Sequence, residues 1–180
     1  MKYLEWLQKQ GFESAKLGVS EDEADKLALP LENPGTPRME FPRQIVIHHS
    51  ATETGNAALF RVLHRVINGW NDIGYHFVIG NGSYSADGEV EKGRSLPFRG
   101  AHAKGGNSDS IGICLVGNFN SGQPSASQLN SLQSLLTRLM LEYSIRAESV
   151  TLHKLVPGSV TECPGRYLTL PDVMHLIINE

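Results

Sequence analysis

The sequence predicts an α/β fold: a central mixed β-sheet flanked by helices, preceded by a short N-terminal extension. Three observations carry this reading. Apolar runs of strand length alternate with segments whose apolar residues recur at helical spacing, the pattern of a mixed sheet covered by helices. The run Ile111 to Val116 is the most apolar of these, as expected of a central strand buried on both faces. Residues 1–40 differ from the rest of the chain, because Pro30, Pro34, Gly35 and Pro37 break regular structure ahead of a core that begins near Pro42.

Taken in order, Tyr3, Leu4 and Leu7 share one side of a short helix that Gly11 ends. Ser20 and Glu23 form an S-x-x-E capping pattern for a second short helix running to about Ala28. Residues 1–40 therefore read as an extension, and 41–180 as the single domain that carries the chemistry. Gln44 to His49 reads as a buried strand. Asn56 to Gly69 reads as a helix, with Leu59, Val62, Leu63, Val66 and Ile67 on one face. Gly74 to Ile79 is a strand that Asn81-Gly82 turns, and Glu89 to Gly93 a shorter one. Leu129, Leu132, Leu135, Leu136, Leu139 and Met140 mark a long helix entered through a Ser125–Gln128 capping box. A short strand from Ser149 to Leu152 delivers His153. Pro171 opens a last helix carrying Val173, Met174, Ile177 and Ile178.

A chain of 180 residues suits one domain and can bury a core without help from disulfides or metal. The net charge of −3 gives no overall basic field for nucleic acid. No segment has the length of a membrane span. Charges interrupt Met1 to Lys9 where a signal peptide needs an apolar core, so synthesis in the cytoplasm is expected, with the route to any wall substrate left open. A monomer is expected. Of the two cysteines, Cys114 sits in a strand pattern where a free thiol acts as a small apolar side chain. A Cys114–Cys163 disulfide is the alternative that cysteine arithmetic leaves open.

Cys163 lies in Thr161-Glu162-Cys163-Pro164-Gly165, ten positions after His153, while His48 closes the run Ile45-Val46-Ile47. Two imidazoles and a thiolate are ligands zinc accepts, and three protein ligands leave a fourth position for water. Strand alternation sends His48 and His49 to opposite faces, so only one can ligate, and periodicity does not choose between them. Tyr75 shares a face with Phe77 and Ile79, and His76 with Val78. Pro164-Gly165 makes a turn that fixes the cysteine's exit. The rival reading makes Cys163 a nucleophile activated by His153, which leaves His48 without a role. Gly112 and Gly117 do not match a dinucleotide-binding spacing.

At these residues the chain resembles the zinc-dependent N-acetylmuramoyl-L-alanine amidases of the type 2 family, which includes peptidoglycan recognition proteins and small phage amidase lysozymes. The matching runs are Ile45 to Thr52, Ile73 to Ile79, Gly100 to Gly105 with Asn107, Ser110 to Phe119, His153, and Thr161 to Gly165. Together they span about residues 44–170 in the family's order. The resemblance implies the peptidoglycan recognition protein fold and Zn2+ held by His48, His153 and Cys163. It places Tyr75 and Thr161 as catalytic groups that steady an oxyanion, Thr161 standing where phage members carry lysine and many recognition proteins threonine. His102 matches a recurrent pocket residue that contacts substrate. His49, His76, Arg94 and Asn107 complete the expected substrate contacts.

The implied reaction is hydrolysis of the amide joining N-acetylmuramic acid to L-alanine, with peptidoglycan or muropeptides as partners. Recognition-only relatives commonly replace the cysteine, so its presence favours catalysis. The alternative is a peptidoglycan-binding receptor or regulatory module, with residues 1–40 as its natural partner surface.

Overall fold

A computed structural model describes residues 2–13 and 17–178. Its sheet contains β1 (Gln44–His49), β2 (Phe77–Ile79), β3 (Val90–Lys92), β4 (Ser110–Leu115) and β5 (Val150–Leu152). The spatial order is β3-β2-β4-β1-β5. β1 pairs in parallel with β4 and β5, β2 is parallel to β4, and only β3 runs antiparallel to its neighbour. The helices are α1 (Tyr3–Lys9), α2 (Glu21–Leu27), α3 (Ala57–Val66), α4 (Ala126–Tyr143) and α5 (Leu170–Ile178). The mixed sheet with helical cover is as the sequence predicts, and the Ile111 to Val116 run supplies the central strand.

The twofold alternation of side chains sorts the chemistry. Ile45 and Ile47 of β1, with Ile111, Ile113 and Leu115 of β4, face Leu132, Leu135, Leu136 and Leu139 of α4 and Val173 of α5. Burying each such side chain is worth about 1.5–3 kcal/mol. Val78, Cys114 and Val116 pack with Leu59, Phe60 and Val62 of α3 and with Trp6 and Leu7 of α1. His48 alternates with Ile47 and so leaves the α4 side.

Both expected capping boxes are present, Ser20 with Glu23 on α2 and Ser125 with Gln128 on α4, and Asn56 also caps α3 by accepting from Leu59 N–H. Three details differ from the sequence reading. Regular pairing of β2 begins at Phe77, not Gly74, because Gly74 N–H is drawn toward α3, where it donates to His64 Nδ1 (3.0 Å). α5 starts at Leu170, and Thr169 exchanges hydrogen bonds with Asp172 across its first turn. On α1 the buried pair is Trp6 and Leu7, with Tyr3 and Leu4 only partly covered.

Residues before Pro42 are pinned to the remainder by several polar contacts. Trp6 Nε1 donates to Thr54 (3.1 Å) and its ring meets Phe60 edge-on. Arg61 is buried in an ion pair with Asp72 (2.7 Å) and also donates to Ala28 O and Gly93 O. Both cysteines are free thiols. No helix among the described residues is long and apolar enough to cross a membrane.

Candidate active site

The site lies where two parallel strands end. His48 is near the C-terminus of β1, and His153 follows β5 directly in a single 3-10 turn. Since Ile47 pairs with Leu152, the next residues along, His48 and His153, stand side by side, their rings 4.5 Å apart. Loops at the carboxyl ends of parallel strands are where α/β sheets place their ligands.

Cys163 arrives on the loop before α5. Its backbone is held on three sides: Thr161 Oγ1 accepts from Cys163 N–H (3.1 Å), Cys163 O accepts from Lys154 N–H (2.8 Å), and Gly165 N–H closes the turn onto Glu162 O (2.6 Å). Gly165 has φ of +102°, and a Cβ there would sit 2.4 Å from the Phe119 carbonyl carbon, so the turn requires glycine. The loop delivers Cys163 Sγ to 3.7 Å from His48 Nδ1. His48, His153 and Cys163 each offer one ligand atom, all within 4.8 Å of one another, which is a group able to hold a metal ion.

Burial sets the charge state of these groups. It pushes the His48 pKa well below the usual value, helped by His102 and His153, and lowers His153 as well. Both imidazoles are therefore neutral at neutral pH, the form in which an imidazole can ligate a metal. Burial pushes the Cys163 thiol up to about 11, opposed by the His49 N–H and the Lys154 ammonium. A cation beside the sulfur would favour the thiolate instead.

Sheet geometry separates the two adjacent histidines. His48 faces His153 and Cys163. His49 turns away, accepts from Phe119 N–H through Nδ1 (3.0 Å), and aims its own N–H at Cys163 Sγ (3.4 Å). Its pKa is lowered to about 4 by burial, then by His153 and Lys154.

Tyr75 lies against His48, ring centroids 5.2 Å apart. Burial, with the Cys114 and Cys163 thiols nearby, drives its pKa well above 10. Thr161 uses its oxygen to hold the cysteine loop while retaining its own proton.

The remaining expected contacts are placed differently. His76 is 1% exposed, with Nδ1 accepting from Gly112 N–H and Nε2 facing Phe98 O, both 2.9 Å. That leaves no ring nitrogen for a ligand, so His76 bolts the segment before β2 to β4. His102 is likewise enclosed, between His48 Nε2 (3.0 Å) and Ser110 (3.4 Å to the carbonyl oxygen), rather than offered to substrate. The Arg94 guanidinium donates to the carbonyls of Asp72, Ile73 and Arg99, so it is no solvated surface group. Asn107 Oδ1 accepts from the N–H groups of His102 and Ala103 and shapes their loop. Arg94 and Asn107 do line one cavity of about 630 Å³, together with Trp70 and Arg99. Sequence reasoning misses the contacts of Ser110 and Cys114 with these residues. The strand pattern puts both in β4, and their shared face with His76 and His48 is the available signal.

A His–His–Cys cluster at the ends of two parallel strands is thus set on an α/β sheet, in the place where such sheets carry their chemistry. The chain belongs to the Amidase_2 family of N-acetylmuramoyl-L-alanine amidases, whose model matches residues 37–166. It is 40% identical over 130 residues to the endolysin of Klebsiella phage KP32, covering 68% of this chain and 80% of that protein. Among solved structures it resembles N-acetylmuramoyl-L-alanine amidase LysC from Clostridium intestinale URNW, with a TM-score of 0.66 and 32% identity, covering 83% of this chain and 90% of the other. It also resembles peptidoglycan recognition protein-LE in complex with tracheal cytotoxin, a monomeric diaminopimelic acid-type peptidoglycan. There the TM-score is 0.63 and identity 33%, covering 74% and 80% of the two chains.

Proposed function

We propose that this amidase is zinc-dependent and hydrolyses the bond between N-acetylmuramic acid and L-alanine in bacterial peptidoglycan. The observation that carries the zinc reading is the spacing of the donors. Tetrahedral zinc with bonds of about 2.0–2.1 Å to nitrogen and 2.3 Å to sulfur separates those donors by about 3.6 Å. His48 Nδ1 and Cys163 Sγ stand at 3.7 Å, and His153 completes the group within 4.8 Å. Two neutral imidazoles and one thiol also match the donor chemistry of zinc. When bound, zinc would polarise the scissile carbonyl and bring the pKa of a water to about 7.

The protein's own part is placement and charge stabilisation. His48 and His153 come from neighbouring strands and Cys163 from a hydrogen-bonded turn, so the donors converge before any ion arrives. Tyr75, beside His48, and Thr161, two residues from the sulfur, would each donate a hydrogen bond to an oxyanion on the former carbonyl oxygen. One such donor is worth about 3 kcal/mol in the transition state. The cavity lined by Arg94, Asn107 and Trp70 has none of His48, Tyr75, His153, Thr161 or Cys163 in its walls and is not assigned to substrate, and the chain acts as a monomer.

The peptidoglycan reading draws support from the phage endolysin and from the recognition protein holding a muropeptide. Purified sacculi and defined muropeptides should release free stem peptides, with mass spectrometry locating the cut between the lactyl group and L-alanine. Zinc-loaded, folded protein that releases no stem peptide from several wall types would count against the activity and favour a binding module.

A further inference from the structure

His102 can be assigned a role from the hydrogen atoms around it. The Ser110 hydroxyl donates to Gly106 O. Its oxygen therefore faces His102 Nε2 (3.5 Å) only as an acceptor, and the Ser110 carbonyl oxygen beside it (3.4 Å) accepts too. With acceptors alone in front of it, His102 Nε2 carries the proton, and in a neutral buried ring Nδ1 is bare. That bare nitrogen lies 3.0 Å from His48 Nε2. His48 Nε2 must then carry a proton, which leaves the His48 Nδ1 lone pair as the one directed at Cys163 Sγ.

A second observation is independent of these bonds. The His102 ring sits in a slot between two glycines. A Cβ on Gly112 would lie 2.5 Å from His102 Cγ, and one on Gly100 would lie 2.4 Å from its Cδ2. Any side chain at either position would displace the ring, so the backbone on both sides is cut to fit it.

We propose that His102 is a positioning residue. It fixes His48 as the Nε2–H tautomer and holds its ring so that Nδ1 is presented to the metal, and it makes no contact with substrate. The inference rests on the zinc reading for its purpose, but the tautomer is a property of the protein alone. Outer partners of metal-bound histidines typically account for about 10–100-fold in metal affinity.

The test compares full-length wild type with His102→Ala and His102→Asn, the latter keeping an acceptor where Nδ1 stands. Long-range 1H–15N spectra of the imidazoles should report His48 as the single Nε2–H tautomer in wild type, with and without added zinc. His102→Ala should yield mixed tautomers and about 10–100-fold weaker zinc binding in competition with a chromophoric chelator. His102→Asn should recover most of both. The proposal is overturned if His102→Ala keeps a single His48 tautomer and wild-type affinity, or if His102→Asn loses as much as His102→Ala, which would make ring volume the cause. Wild type that holds the tautomer but binds no zinc would instead sink the zinc reading and leave the assignment of the proton standing.

Discussion

The Nδ1 of His48 lies 3.7 Å from the sulfur of Cys163, although 115 positions separate them in the chain. One is placed by parallel pairing in the middle of the sheet, the other by a turn fixed through Thr161, Lys154 and Gly165. Substitutions at the ligands, beside them and far from them should therefore have separable effects.

Cys163→Ala removes the only sulfur donor of the cluster. Zinc affinity should fall by more than the roughly 100-fold typical of outer-sphere changes, and amide hydrolysis should drop to background. Equilibrium dialysis with muropeptide digestion measures both, and a fully active Cys163→Ala protein would contradict both the zinc reading and the rival in which Cys163 is the nucleophile.

Tyr75→Phe deletes one hydroxyl and leaves the ring against His48. kcat should fall by about 10²–10³ with zinc affinity unchanged. Thr161→Ser should behave as wild type. Thr161→Val should lose both activity and about 1 kcal/mol of stability, since its oxygen also accepts from Cys163 N–H. Steady-state kinetics beside denaturant unfolding separates the two effects.

Acid should destabilise the fold through buried histidines that are not themselves assigned as ligands. Burial holds His64 and His76 at about 4, below an unfolded value of 6.5. Between those limits the unfolded chain binds more protons, so stability is complete above about pH 6.5 and is lost as pH falls toward 4. Each group contributes on the order of 1 kcal/mol per pH unit in that window. Urea titrations of chelator-treated protein across pH 7 to 4 check this, and a flat profile would contradict it.

Trp6→Ala should cost about 3–5 kcal/mol, as for other buried aromatic truncations. Trp6 is 2% exposed, packs on Phe60 and donates to Thr54. Zinc stoichiometry below the unfolding temperature should stay at one per chain, because none of these contacts involves a ligand. Thermal unfolding and metal analysis of the same sample measure the pair.

Much of this is legible in the sequence, and the exceptions share a cause. Periodicity locates β1 and β4, and capping patterns at Ser20 and Ser125 locate helix starts, because those signals are local. Periodicity also sets His48 and His49 on opposite faces, but choosing between them needs the register of β1 against β5. His76 and His102 carry the same imidazole as a ligand, and only packing reveals that both nitrogens of each ring are taken by the protein. The burial of Arg94 is hidden because a sequence does not show three carbonyls converging on one guanidinium. Trp6 is absent from the apolar face that spacing assigns to α1 because, in a helix so short, Glu5, Gln8 and Lys9 surround it. Its burial depends on α3, far along the chain.

The most direct test of the central claim is the zinc K-edge absorption spectrum of the protein loaded with one equivalent of zinc. The account predicts one sulfur at about 2.3 Å and nitrogen or oxygen donors at about 2.0–2.1 Å in a four-coordinate shell, with the sulfur lost in Cys163→Ala. A shell of nitrogen and oxygen alone in the wild type would contradict it.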